Sequence, residues 1–376
     1  MRILFLDTYP IRRGAQVFVS ELSEELEKLG HNTKKVYLYK TDPNAVLVNL
    51  HDNDVILGGN PNHFFEKIPS FQPKILKKVI HEVNIFNPDI ILLNGSRTLK
   101  YAAIAKLFLG TKTKWITRVI DNAEYWNTGF LTKLYYTYWI IPSFDASVGV
   151  SQASLNSMVR HYRFKKPTMA IHRAFNTNKF QNTLSKEEAR KKLNLNLNDE
   201  VLLFLGNITA QKRPDKFLKI VQQLKGKRSN IKALIVGDGV DLPKYIDLIE
   251  QNKSYILHMG YQKDVALYLA AADILVLPSD TEGLPGVVLE AGYFEVPTVA
   301  TDVGGIRECL IDEKTGFIIP DKSIEGFVSK IEKLLDNPKM RIEMGQESKK
   351  IVIEKFNLKT ITQSYIDFFS FVKKLN

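Results

Sequence analysis

Short apolar runs that end in a polar residue or a glycine recur along this chain, with stretches of helical spacing between them. Arg2 to Asp7 is the first run; Phe18, Leu22, Leu26 and Leu29 then recur at a helical period, and Gly30 is placed to close that helix. Thr33–Tyr39, Asp89–Leu93, Lys114–Ile120 and Asp145–Val150 continue the strands, with Pro73–Phe86, Leu99–Leu109 and Ser151–His161 as helices among them. The second half repeats the pattern. Its strands are Val201–Leu205, Ala233–Val236, Tyr255–Met259, Ile274–Leu277 and Thr298–Ala300, and its helices include Phe217–Leu224 and Ala266–Ala272. Strands without a polar face must be covered on both sides, and alternation with helices makes them parallel. Two such runs predict an α/β fold of two doubly wound domains, residues 1–180 and 181–360, facing a cleft. The polar stretch Asn176–Asn198 reads as the hinge. The tail from Phe356 to Phe371 has helical spacing, so residues 361–376 are expected to pack back on the first domain. Ligands of such sheets bind beyond the carboxyl ends of the strands, which places the expected site in the cleft.

A length of 376 residues suits two domains, and 44% apolar with 25% charged residues is an ordinary globular composition. Cys309 is the only cysteine, so no intrachain disulfide can form and a reducing compartment is expected. The apolar run at the start stops at Asp7, too short for a signal peptide, and no segment approaches the roughly 20 apolar residues of a spanning helix. A cytoplasmic protein is the expectation. The net charge of +11 is uneven: residues 1–180 hold 24 Lys and Arg against 14 Asp and Glu, and residues 181–376 hold 28 against 27. The stretch 151–180 carries Arg160, Arg163, Lys165, Lys166, Arg173 and Lys179 and no acidic residue. Either an anionic surface meets the first half, or its lysines are simply solvated. No base-reading motif accompanies the charge, so nucleic acid is not expected.

The loop after Leu277 carries the chemistry. Pro278 and Ser279 lead out of the strand to Glu282 and Gly283, and Pro285 stands where a helix can begin without wasting an amide hydrogen. Glu290 follows eight residues after Glu282. The first-turn amides of such a helix favour an anion, so two carboxylates flank a phosphate seat. A ligand with a diphosphate at its centre and hydroxyls at both ends suits that arrangement, as a nucleotide sugar does. Three more strand ends precede it. Phe204-Leu-Gly206 opens a polar loop to Lys212 and Arg213, where one cation is a compact point charge and the other a fork. Gly237-Asp-Gly239 and His258-Met-Gly260-Tyr261 close the next two strands. Each turn alone is ordinary; their succession is specific.

The chain here resembles the group 1 or family 4 glycosyltransferases, retaining enzymes of GT-B architecture with two Rossmann-like domains. The resemblance runs through Gly237-Asp-Gly239, Asp273, Pro278-Ser279, Glu282-Gly-Leu-Pro285, Leu289-Glu290-Ala291, Asp302-Val-Gly304-Gly305 and Thr315-Gly316, close over about residues 200–320. It is looser in the first half, where Asp7 with Arg12-Arg-Gly14-Ala15 is similar to the family's glycine loop and Val148-Gly-Val-Ser151 to the strand before its interdomain region. It implies a hexosyltransferase-type enzyme without metal or other cofactor. The donor would be a nucleotide-diphosphate sugar, bound by Gly14, Gly206, Lys212, Arg213, Gly237, Tyr261, Glu282, Gly283, Leu284, Pro285, Gly286 and Glu290. Glu290 would hold ribose hydroxyls, Glu282 would lie against the transferred sugar, and the amides from Gly283 to Gly286 would hold the diphosphate. Lys212 would neutralise the leaving group, making Glu282 and Lys212 the catalytic pair. The acceptor would be a glycan or a lipid-linked molecule in surface polysaccharide or glycolipid synthesis.

Two positions depart from the family pattern. Asn207 stands where an Arg often follows the glycine, and Arg118-Val-Ile-Asp121 occupies a region where a His often approaches the sugar. Arg118, Asp121 and Arg173 are the candidates on the acceptor side. A catalytically silent GT-B protein that binds glycans or a partner is the alternative these departures leave open. Asp52-Asn-Asp54 spells a D-x-D, but nothing around it resembles the metal-clamping architecture. The aromatic run Tyr125-Trp126, Phe130, Tyr135-Tyr136, Tyr138-Trp139 reads either as a core helix or, with Lys133 and the basic residues 160–166, as a face for anionic lipid headgroups.

Overall fold

Strand β1 (Arg2–Asp7) is apolar on both faces, and the computed structural model buries both. Leu4 and Leu6 enter one core with Leu93, Trp115 and Phe144, whereas Ile3 and Phe5 enter another with Phe18, Leu22 and Leu26. The structure describes residues 1–67, 71–110, 112–126, 129–180 and 184–375. They fall into two units, Met1–Ala174 with Leu358–Asn376, and Phe175–Asn357.

In the first unit β1 is joined by β2 (Asn32–Tyr39), β3 (Val55–Gly59), β4 (Ile90–Asn94), β5 (Lys114–Val119), β6 (Ala146–Gly149) and β7 (Thr168–Ala170). The strands are parallel in the order β3-β2-β1-β4-β5-β6-β7. The order reverses between β1 and β4, whose register sets Asp7 beside Asn94. Helix Leu358–Lys373 completes this unit: Ile361, Tyr365, Phe368, Phe369 and Val372 lie in the same core as Phe5 and Phe18. Its end is tied down by Lys373 to Asp89 at 2.7 Å and by Lys114, whose Nζ donates to the Leu375 carbonyl at 2.6 Å.

The second unit holds β8 (Glu200–Leu205), β9 (Ile231–Val236), β10 (Ile256–His258), β11 (Ile274–Leu277), β12 (Thr298–Thr301) and β13 (Gly316–Ile319). All are parallel in the order β10-β9-β8-β11-β12-β13, and the reversal lies between β8 and β11. The α/β, doubly wound expectation is met twice. Three strands were not anticipated, β3, β7 and β13. Each is the edge of its sheet and short, and short edge strands carry a weak hydrophobic signal.

Two local expectations change. The helix expected from Leu99 begins at Ser96, directly after Gly95 at φ 101°; a polar first turn hid its start. The stretch expected as a polar hinge, Asn176–Asn198, contains a helix, Lys186–Lys192, with a reciprocal Ser185–Glu188 capping box. That helix is anchored inside the second unit, because Arg190 is buried and its Nη2 lies 2.7 Å from Asp273 Oδ2. Burial pushes the Asp273 carboxyl up, but Lys186 and Arg190 outweigh it and hold the group below the usual carboxylate range. No helix among the described residues is long and apolar enough to cross a membrane.

Candidate active site

At the reversal point of the second sheet, the loops leaving β8 and β11 run side by side. They are stapled three ways. Lys212 Nζ donates to Glu282 Oε1 at 2.7 Å, Arg213 Nη1 reaches both Asp280 oxygens at 3.1 and 3.2 Å, and the Asp280 amide donates to the Gln211 carbonyl at 2.8 Å. Glu282 is buried, as are Gly283, Leu284 and Pro285 behind it. Pro285, at φ −72°, then caps helix Gly286–Tyr293 without any side-chain hydrogen bond to its first turn. Glu290 lies on that helix, half-buried. A carboxylate, an ammonium and an open helix N-terminus thus meet where a doubly wound sheet binds its ligand.

The glycine turns are close-packed against one another. Gly206, at φ 147°, donates its amide to the Val236 carbonyl at 3.0 Å, and a Cβ on Gly237 would stand 2.0 Å from the Gly206 carbonyl oxygen. The Gly237 amide donates to the Gly260 carbonyl at 2.9 Å, and His258 Nε2 lies 2.9 Å from the Gly237 carbonyl oxygen. Tyr261, next in the chain, is exposed. The loop after β12 supports Glu282 from behind: the Gly305 amide donates to the Glu282 carbonyl at 3.3 Å, and a Cβ on Gly304 would lie only 1.7 Å from that oxygen. Here Gly304, at φ 53°, is required by contact as well as by conformation.

In the first unit, the residues at the reversal point form a buried polar group. Asp7 accepts from Asn94 Nδ2 at 2.5 Å, Gln16 Nε2 at 2.9 Å and the Thr8 amide at 2.6 Å. Desolvation nevertheless dominates and pushes its carboxyl up to about 6, against the lowering effect of those hydrogen bonds. Arg118 is turned inward: its Nη1 donates to Asn94 Oδ1 at 2.8 Å, its Nε to the Tyr365 hydroxyl at 3.2 Å, and its guanidinium covers the Phe18 ring at 4.4 Å. Gly14 and Arg173 are brought together, since a Cβ on Gly14 would stand 3.1 Å from Arg173 Nη1. Asp121 accepts from the Trp126 indole at 2.5 Å, and burial raises its carboxyl above the usual value.

Two family models divide the chain between them. Residues 12–179 match Glycosyltransferase Family 4 and residues 185–351 match Glycosyl transferases group 1. This chain belongs to the group 1/family 4 glycosyltransferases. The glycosyltransferase is 24% identical to the N-acetyl-alpha-D-glucosaminyl L-malate synthase of Bacillus anthracis, over 95% of this chain and 93% of that one. It is 32% identical to a putative teichuronic acid biosynthesis glycosyltransferase, TuaC of Bacillus subtilis, over 40% of this chain and 36% of the other. Several other curated relatives are matched over about half their length. Its fold is that of Anabaena HepE solved with UDP, with a TM-score of 0.80 at 17% identity over 98% of this chain and 100% of that chain. These solved structures give the glycosyltransferase its GT-B architecture.

The structure brings Gly206, Lys212, Gly237, Glu282 to Gly286 and Glu290 to one end of the second sheet. Arg213 sits there too, but with its fork occupied: Nε and Nη2 hold Asp215 at 2.9 and 2.8 Å, which keeps the guanidinium well above its ordinary pKa. Gly14, Arg118, Asp121 and Arg173 belong to the first unit. Sequence reasoning missed Asn94, although a polar residue ending the apolar run Ile90–Leu93 was a visible signal. It also missed the direct pairing of Lys212 with Glu282. Asp54 of the D-x-D stretch spends its oxygens on the Lys35 and His51 amides, both at 2.8 Å, with Lys35 Nζ 3.1 Å away in poor hydrogen-bond alignment. Among the described residues, no group of three His, Cys, Asp or Glu side chains is arranged to hold a metal ion.

Proposed function

We propose that this chain is a retaining, metal-independent glycosyltransferase. It moves a hexose-type sugar from a nucleotide-diphosphate donor to a glycan or lipid-linked acceptor in cell-surface polysaccharide or glycolipid synthesis, on the cytoplasmic side. The observation that carries this reading is the Lys212–Glu282 pair, 2.7 Å apart beside the uncapped N-terminus of helix Gly286–Tyr293.

In this reading the diphosphate lies across the amides from Gly283 to Gly286, where the helix end supplies partial positive charge. Glu290, one turn further along, takes the ribose hydroxyls. Lys212 exchanges part of its contact with Glu282 for a phosphate oxygen and neutralises the charge that grows as the glycosidic bond breaks. Glu282, held from behind by Gly304 and Gly305, stays against the sugar. The acceptor hydroxyl attacks from the face the phosphate leaves, and the leaving phosphate takes its proton. The match to Anabaena HepE solved with UDP and glucose supports a uridine donor as the first to try.

The test is a thermal-shift panel with UDP-, GDP- and ADP-sugars on the intact protein and on Glu290→Ala, followed by donor turnover with Glu282→Ala and Lys212→Ala. A bound donor raises the melting temperature by mass action. One nucleotide class should do so, the shift should shrink in Glu290→Ala, and Lys212→Ala should lower kcat about 100-fold or more with its fold intact. A panel without any shift, or turnover unchanged by both active-site variants, would overturn the reading.

A further inference from the structure

Residues 130–139 of the first unit expose five large apolar or aromatic side chains: Phe130 (74%), Leu131 (76%), Leu134 (38%), Tyr138 (68%) and Trp139 (43%). They stand on helix Phe130–Tyr135 and on the wider turn Tyr136–Ile140 that continues it. The same segment buries Tyr136, Ile140 and Ile141 in the core of the unit. It therefore has one face in the core and the other in solvent. Exposed aromatic side chains this dense are unusual on a protein that meets only water.

The exposed face is also cationic. It borders a groove of about 570 Å³ lined by Phe130, Lys133, Leu134, Tyr138, Arg160 and Arg163, with Glu124 as its one carboxylate. Arg160 and Arg163 come from the end of helix Gln152–Tyr162, where Arg163 adopts a left-handed conformation (φ 53°). Burial and then Lys133 lower the pKa of His161, also in the groove, against the raising effect of Glu124. Three permanent cations against one carboxylate make an anion seat, and the apolar side chains surround it.

We infer that this face docks on the headgroup layer of an anionic phospholipid bilayer. Phe130, Leu131 and Leu134 would enter the acyl boundary, and Tyr138 and Trp139 would sit at headgroup depth, where amphipathic rings are favoured. Lys133, Arg160 and Arg163 hold lipid phosphates. A nucleic acid would want a longer cationic track with fewer aliphatic side chains, and a soluble phosphate would leave Leu131 in water. The excess of charge in residues 1–180, 24 Lys and Arg against 14 Asp and Glu, adds long-range attraction of the same sign. This inference does not depend on the donor reading, because the groove and the Glu282 loop share no residue.

The test is co-sedimentation of the full chain with vesicles of phosphatidylcholine alone and with about one-third phosphatidylglycerol, and fluorescence quenching by brominated acyl chains. Binding should require phosphatidylglycerol, and Arg160→Ala with Arg163→Ala should weaken it about 30-fold, near fivefold per cation. Phe130→Ser with Leu131→Ser should abolish it, and Trp139→Phe should remove most of the quenching while leaving sedimentation intact. Should the double serine variant melt early, the Trp139 quenching in the unaltered chain still decides the matter. Equal binding to both vesicles, unchanged binding of the arginine variant, or displacement by free glycerophosphate would each overturn the inference. So would quenching that does not involve Trp139. Donor-induced melting shifts in the same variants should stay normal, which separates this failure from a failure of the donor site.

Discussion

Replacing Asp7 by Asn should remove a pH dependence from the stability of the first unit. The native carboxyl is raised from 3.8 to about 6 by burial, so the folded state keeps a proton that the unfolded chain releases. With more protons bound in the native state, stability falls as pH rises between those values. A difference of about 2.2 units amounts to about 3 kcal/mol in total, of which about 2 kcal/mol is lost between about pH 4.5 and about pH 7.5. Asn cannot titrate but fills the same space between Asn94 and Gln16. The measurement is the melting temperature of both proteins in parallel across that range, since other carboxylates, Asp273 among them, drift in the opposite direction and cancel only in the difference. Asp7→Asn should be the less stable protein at the acidic end and gain on the unaltered chain toward neutral pH. A difference that stays flat would refute the reasoning, because it would mean that Asp7 is already ionised in the folded protein at the acidic end.

Gly304→Ala should place a methyl on the Glu282 carbonyl and force the loop away, lowering donor turnover more than it lowers the melting temperature; equal turnover would show that the loop does not set Glu282. Tyr365→Phe should leave the buried Arg118 without its Nε partner and cost about 1–3 kcal/mol, read as an earlier thermal transition with donor binding unchanged.

The strands at the centre of each sheet were legible because they are apolar throughout, as in Ile3 to Leu6 and Val201 to Leu205. The edge strands β3, β7 and β13 were not, since short segments such as Thr168–Ala170 carry too little periodicity to separate from a loop, whereas the edge strand β10 was read within Tyr255–Met259. At the site, the order of Gly206, Gly237, Glu282 and Glu290 was visible, and so was the helix beginning after Pro285. The pairing of Lys212 with Glu282 was not, because it joins residues 70 apart and depends on which strand neighbours β8. Arg213 was read as a free fork, although Asp215, two residues on, was the nearest carboxylate to occupy it. Arg118 was read toward the acceptor, and its inward turn depends on Tyr365 from a helix almost 250 residues away, which no local pattern could announce.

That distant helix has a consequence for synthesis. A ribosome releases Met1–Ala174 well before Leu358–Lys373, and at about 5–20 residues per second the interval is about ten to forty seconds. Throughout it, Phe18 lacks the Tyr365 ring that packs against it, and the cluster it shares with Ile3 and Phe5 lacks Phe368, Phe369 and Val372. The second unit, contiguous from Phe175 to Asn357, can close while the nascent chain is still growing. The half that emerges first is therefore the half that matures last, and a permuted gene that placed the final helix ahead of β1 would reverse that order.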